Sequence, residues 1–240
     1  MTLLPDSVNW ESICPDPWTD FFSDYPNRAV DAHKGDCGRI GILAGSDAMV
    51  GAAVLTAEAA LRMGSGLVYV MGVPSVRSVL QSRCPEAIFL PLPEEFGVVP
   101  LAALNVILQY IDDYGLHAVA MGPGLGREYT TQQLVMDLVT VFQQHDFPVV
   151  VDADGLYPLQ LSGYWSDAMV LSSSVILTPH PGEFDHMTAG AYAELSREDQ
   201  VREWCEQFPH VMVLKGQGTV VSQGNEALVN PSGHPGMATA

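Results

Sequence analysis

The stretch IGILAGSDAMVGAAVLTAEAALRMGSGLVYVM, residues 40–71, decides the fold. Ile40–Ala44 is an uninterrupted apolar run, the pattern of a strand buried on both faces. Gly51–Met63 carries Ala, Val and Leu at helical spacing, with small residues on the packing face. Leu67–Met71 is a second apolar run. A helix of this length between two buried strands argues for parallel pairing, because parallel neighbours need a long crossover.

The same rhythm continues outward. A helical stretch at Val76–Ser82 precedes the apolar Ala87–Leu90, and Leu101–Tyr110 is helical. His117–Met121, Pro148–Val151, Val175–Leu177 and Val211–Leu214 read as strands. Helices are predicted at Thr131–Gln144 and Glu194–Phe208, and Thr219–Ser222 with Ala227–Val229 is spaced as a β-hairpin around Gly224. Alternation of this kind predicts one α/β domain, a mostly parallel sheet covered by helices on both faces. Residues 1–32 stand apart as an arm rich in Pro, Trp, Phe and Tyr whose aromatic rings must pack on something.

Composition narrows the function. The 240 residues hold 28 acids and 10 bases, a net charge of −18. That balance excludes a general nucleic-acid or anionic-membrane binder, both of which need a basic footprint. No stretch is long and apolar enough to span a bilayer, and Met1–Trp10 lacks the regions of a secretory signal. Cys14, Cys37, Cys84 and Cys205 form no CxxC pair, so buried free thiols and a cytoplasmic location are expected. Lysine occurs twice, as Lys34 and Lys215, each followed by glycine; both are expected to face an anion.

In a parallel α/β sheet the ligand lies beyond the carboxyl ends of the strands, so the loops there carry the chemistry. After Ile40–Ala44, the small residues Gly45 to Ala53 enter a helix; the spacing is neither GxGxxG nor GxxxxGK[ST], and close helix–sheet packing accounts for the segment alone. After His117–Met121, Gly122-Pro123-Gly124-Leu125-Gly126-Arg127 lets backbone approach a ligand, and Arg127 is a candidate for bidentate phosphate contact. After Pro148–Val151 come Asp152 and Asp154, either Mg²⁺-holding carboxylates or turn and cap residues, the cap role fitting Asp154 better than Asp152. His180 lies between Pro179 and Pro181, which fix its backbone. Lys215-Gly216-Gln217-Gly218-Thr219 makes a tight turn able to cradle a phosphate or ribose. No GxSxG nucleophile or Cys–His system is present, which leaves positioned carboxylates, Mg²⁺ and phosphate handling.

Taken in order, these segments resemble the NAD(P)H-hydrate dehydratase family of the ribokinase-like superfamily. The resemblance runs from residue 33 through His33-Lys34-Gly35-Asp36, Ala44-Gly45-Ser46, Gly51-Ala52, Ala59 to Val68, Gly122 to Gly126, Val151 to Leu156, Thr178 to Glu183, Lys215 to Thr219 and Asn230 to Gly233. It implies a ribokinase-like three-layer α/β/α domain over residues 33–240. It also implies metabolite repair: ADP (usual in bacteria) or ATP (usual in eukaryotes) phosphorylates the ring hydroxyl of hydrated NADH or NADPH, and phosphate then leaves. On matching positions, Ala52, Gly124 and His180 contact the hydrate. Lys215, Gly216, Gln217, Gly218 and Thr219 surround the adenine nucleotide, and Asp152 serves metal-phosphate or substrate contacts. Mg²⁺ is the implied cofactor and a homo-oligomer, commonly a tetramer, the implied assembly.

The chain departs from the family at its end. A Gly-Met-Ala-Thr segment in the family precedes Gly-Ser/Thr-Gly-Asp, whose amides form an anion hole and whose Asp is the base. Here Gly236-Met237-Ala238-Thr239 is followed by Ala240 alone. No catalytic base is therefore assigned, and a domain short of its C-terminal helices is expected. A non-catalytic nucleotide-binding protein and a ribokinase-like vitamin or sugar kinase are the competing readings.

Overall fold

A computed structural model describes residues 28–160, 174–224 and 226–233. The predicted βαβ unit comes first. Strand β1 (Arg39–Leu43) leads through helix α1 (Val50–Arg62) to β2 (Leu67–Gly72). Arg39 pairs with Leu67 and Leu43 with Met71, in parallel. Ile42, Leu43, Val68, Val70 and Met71 have no measurable exposure, which is why both runs are apolar without alternation.

The chain continues through α2 (Pro74–Arg83), β3 (Ile88–Pro91), α3 (Leu104–Tyr114), β4 (Ala118–Met121), α4 (Tyr129–Gln144) and β5 (Val149–Val151). Leu101–Ala103 ahead of α3 is a 3-10 turn, and a second one at Ala153–Gly155 follows β5 with a short α5 (Tyr157–Gln160). Then come β6 (Val175–Leu177), α6 (Pro181–Met187), α7 (Arg197–Gln207), β7 (Val211–Leu214), β8 (Thr219–Gln223) and β9 (Glu226–Asn230), the last element of the described residues. The nine strands form one sheet in the order β3-β2-β1-β4-β5-β6-β7-β8-β9. Pairing is parallel from β3 to β7 and antiparallel for β7–β8 and β8–β9.

The order turns back at β1, which lies between β2 and β4. Right-handed crossovers that run one way (β1 to β2 to β3) and then the other (β3 to β4 to β5) set their helices on opposite faces. Accordingly α1 packs on α2, and α3 on α4. The crevice at such a reversal is where α/β sheets hold ligands, and here it opens at the ends of β1 and β4.

Three expectations change. The Pro181–Met187 segment is a helix where the prolines suggested only a rigid loop; Pro at the first helical position lacks an N–H that would have had no partner anyway. The charged helix is shorter than Glu194–Phe208, because Ser196 caps it by accepting from Asp199 N. Cys84 and Cys205 are buried free thiols as expected, but Cys37 is only partly covered; Cys14 and residues 1–27 of the arm lie outside the described residues.

Candidate functional site

Two loops face each other across the reversal point. After β1, Gly45 N donates to Pro123 O at 2.9 Å, and Gly122 N donates to Leu43 O at 3.1 Å. These bonds pin the glycine turn after β4 to the turn that enters α1. Gly124 has φ 65°, and a Cβ there would lie 2.8 Å from Ala52 Cβ and 2.9 Å from Met49 Cβ. Only glycine tolerates both the backbone conformation and the contact. Ala52 and Gly124, far apart in sequence, are thus neighbours on one wall.

The second group gathers at the ends of β5, β6 and β7. Asp152 Oδ1 accepts from Lys215 Nζ at 2.6 Å and from Ala153 N at 2.9 Å. Lys215 Nζ also stands 4.0 Å from Glu183 Oε2, and Lys215 N donates to Pro179 O at 2.9 Å. His180 begins α6 in a capping box: Glu183 N donates to His180 Nδ1 at 3.1 Å, and His180 N donates to Glu183 Oε2 at 2.7 Å. Because Nδ1 accepts, the neutral ring carries its proton on Nε2. His180 itself is exposed.

The two groups meet through Gly122, where a Cβ would overlap the Asp152 carbonyl. Six of the sequence-chosen positions therefore fall on two joined walls: Ala52 and Gly124 on one, Asp152, His180 and Lys215 with Gly216 on the other. Gln217, Gly218 and Thr219 continue the Lys215 turn, closed where Thr219 Oγ1 donates to Gly216 O at 2.9 Å.

The acid and base roles around this turn differ from expectation. Asp152, not Asp154, is the cap, accepting from the amide that opens the 3-10 turn. Asp154 is buried and accepts from Gly126 N at 3.0 Å and Arg127 Nε at 2.7 Å. Arg127, expected to reach phosphate, instead holds this carboxylate and lies over the Tyr157 ring at 4.6 Å. Of the two lysines, Lys215 faces an anion, while Lys34 is exposed. Glu183 and Arg197 were not singled out as site residues. Arg197 has a signal in retrospect, a cation in the first turn of a helix, where the dipole disfavours it.

Among the described residues no group of three or more His, Cys, Asp or Glu could hold a metal ion. Asp152 and Glu183 nevertheless bring two carboxylates to one ammonium, and Mg²⁺ carried by a nucleotide takes only one or two protein carboxylates. The donors fit that use and not a resident ion. No helix among the described residues is long and apolar enough to cross a membrane.

A doubly wound sheet with glycine turns at its reversal point and a lysine at a strand end defines an α/β protein with its candidate site at the carboxyl ends of the strands. A solved ribokinase-like superfamily protein from Enterococcus faecalis shares the fold, with a TM-score of 0.73 at 22% identity over 89% of this chain and 69% of that one. The sequence pattern of NAD(P)H-hydrate dehydratase matches residues 40–240, and the chain belongs to that family.

Its relatives are consistent with this. The chain is 34% identical to an ADP-dependent (S)-NAD(P)H-hydrate dehydratase of Bacillus subtilis, over 89% of this chain and 71% of that protein. It is 35% identical to a bifunctional NAD(P)H-hydrate repair enzyme of Moorella thermoacetica, over 91% of this chain but only 41% of that protein; the chain thus spans about two fifths of such bifunctional relatives. The ADP/ATP-dependent NAD(P)H-hydrate dehydratase from Bacillus subtilis, co-crystallised with ATP/Mg²⁺, superposes with a TM-score of 0.69 at 31% identity, over 92% of this chain and 74% of that one.

Proposed function

We propose that this chain is the nucleotide-dependent dehydratase part of an NAD(P)H-hydrate repair enzyme. Supporting this most directly is the 2.6 Å contact between Lys215 and Asp152, because it joins the Lys215–Thr219 turn to the strand-end acid and, through Gly122, to the Ala52–Gly124 wall. Ala52, Gly124 and His180 bind the hydrate, and Lys215 to Thr219 bind ADP or ATP. The hydrate hydroxyl attacks the terminal phosphoryl group, releasing AMP from ADP or ADP from ATP. The ring-nitrogen lone pair then expels phosphate, and loss of the adjacent C–H proton restores the dihydropyridine.

Mg²⁺, held by Asp152 and Glu183 against the nucleotide, would neutralise charge on the transferred group. Lys215 supplies the fixed cation and the glycine turn its amides, so charge is met locally in a protein of net charge −18. None of the 240 residues is assigned as the base; the family's Gly-Ser/Thr-Gly-Asp segment would supply it. The reading extends to residues 33–240 as one domain, in a cytoplasmic homo-oligomer whose subunit number light scattering would give.

The test mixes hydrated NADH, Mg²⁺ and either ADP or ATP with the protein extended through that segment. Return of absorbance in the NADH band is expected with one nucleotide or both. No return with either sinks the proposal, and phosphorylation of a pyrimidine or thiazole alcohol instead would make the protein a kinase.

A further inference from the structure

Arg197 opens α7 directly after its cap Ser196, a position where the helix dipole repels a cation. What holds it there lies outside the helix. Its guanidinium donates to three carbonyls of the turn that carries Lys215: Nη2 to Leu214 O at 3.0 Å and to Lys215 O at 2.7 Å, and Nη1 to Gln217 O at 2.6 Å. Gly216 packs against the same group, since a Cβ there would lie 2.8 Å from Nη2, and its φ of 143° disfavours any side chain.

This capture has a directional consequence. In a trans peptide the C=O and the following N–H point opposite ways. Drawing the Lys215 and Gln217 carbonyls onto Arg197 turns the Gly216 and Gly218 N–H groups to the other side of the turn. Gly216 N–H meets Thr219 Oγ1 at 3.3 Å, and the Gly218 N–H is aimed away from the guanidinium. One planar fork with several donors can fix three carbonyls at once; an ammonium cannot match that geometry.

We propose that Arg197 is a positioning residue for nucleotide binding: it holds Leu214–Thr219 in the shape that presents the Lys215 ammonium and the Gly218 N–H to the nucleotide. The inference rests on the reading of Lys215 to Thr219 as the nucleotide segment. Arg197 does not touch the nucleotide and acts through the turn.

Calorimetric titration with ADP tests it on the parent protein and on Arg197→Ala, Arg197→Lys, Lys215→Ala and the same-helix control Arg202→Ala. Both Arg197 variants are expected to lose about tenfold or more in ADP affinity, while affinity for the hydrate and the Arg202→Ala control stay at parent values. Added methylguanidinium should restore ADP binding to Arg197→Ala. A purely structural role would instead weaken ADP and hydrate binding together. Parent-like ADP affinity in Arg197→Lys, or equal loss for both ligands, overturns the inference; should Arg197→Ala fail to fold, Arg197→Lys decides alone. If Lys215→Ala binds ADP as the parent does, or the parent binds none, the nucleotide-segment reading itself falls.

Discussion

Lys215 Nζ lies 2.6 Å from Asp152 Oδ1, although 63 positions separate the two residues. They end β7 and β5, which sit on either side of β6, so the lysine reaches across one strand to a carboxylate that also caps the 3-10 turn. The ammonium is partnered but not sealed, with side chains 38% and 32% exposed. Arriving phosphates can therefore compete for it.

Lys215→Ala should accordingly separate binding from folding. An exposed pair of this kind contributes about 1 kcal/mol or less to stability, so the unfolding midpoint should move little. Affinity for ADP should drop by about tenfold or more, the loss expected when a charge-assisted contact to phosphate disappears. Calorimetry on the folded variant checks this, and undiminished ADP affinity would remove Lys215 from the nucleotide site.

His180 does two jobs that substitution can divide. Its Nδ1 caps α6 by accepting from Glu183 N, and its ring is exposed to an arriving ligand. His180→Ala should cost about 1 kcal/mol of stability through the lost cap and raise the Michaelis constant for the hydrate. Asparagine caps helices well, so His180→Asn should recover the stability and not the Michaelis constant. An effect on ADP with none on the hydrate would exchange the two subsites.

The sheet and the choice of loops were legible because parallel strands buried on both faces leave apolar runs, each followed by a loop of Gly, Pro, Asp, His or Lys. Even the hairpin came through: Val220 pairs with Val229 and Gln223 with Glu226 around Gly224. The partners inside the site were not legible. Nothing local to Asp152 or Asp154 tells which one caps and which one binds Arg127; that depends on Ala153, whose φ of 51° turns the chain between them. The α6 helix was hidden by its first residue, Pro181, whose rigid φ serves a helix start as well as a loop. Arg197 was invisible as a site residue because its three acceptors are backbone carbonyls of a different element.

Asp154 makes a sharper stability prediction than any of the proposed ligand contacts. It is 8% exposed and satisfies both the Gly126 amide and the Arg127 guanidinium. Asp154→Ala leaves the amide without its acceptor and strips a cation of its partner, at a cost of about 2–3 kcal/mol. Asp154→Asn keeps an oxygen for Gly126 N and should recover about half of that. Urea unfolding measures both; a loss below about 0.5 kcal/mol in the alanine variant would show that the glycine turn holds its shape without this carboxylate.

His210 predicts how stability depends on pH. Its ring is fully buried, its Nε2 accepts from Trp204 Nε1 at 2.8 Å, and burial pushes its pKa down from 6.5 to about 3. The folded protein thus keeps this ring neutral where the unfolded chain protonates it. Above pH 6.5 both states hold it neutral and it adds no pH dependence; between 6.5 and about 3 the unfolded state binds one more proton, so stability falls as pH falls. The slope approaches about 1.4 kcal/mol per pH unit once the unfolded histidine is charged. His210→Gln, which retains an acceptor for Trp204, should lower stability at neutral pH yet flatten this slope. Urea unfolding of both proteins between pH 7 and about 5 isolates the effect, because most carboxylates titrate lower. Parallel slopes for parent and variant would mean that the buried ring takes up its proton without unfolding.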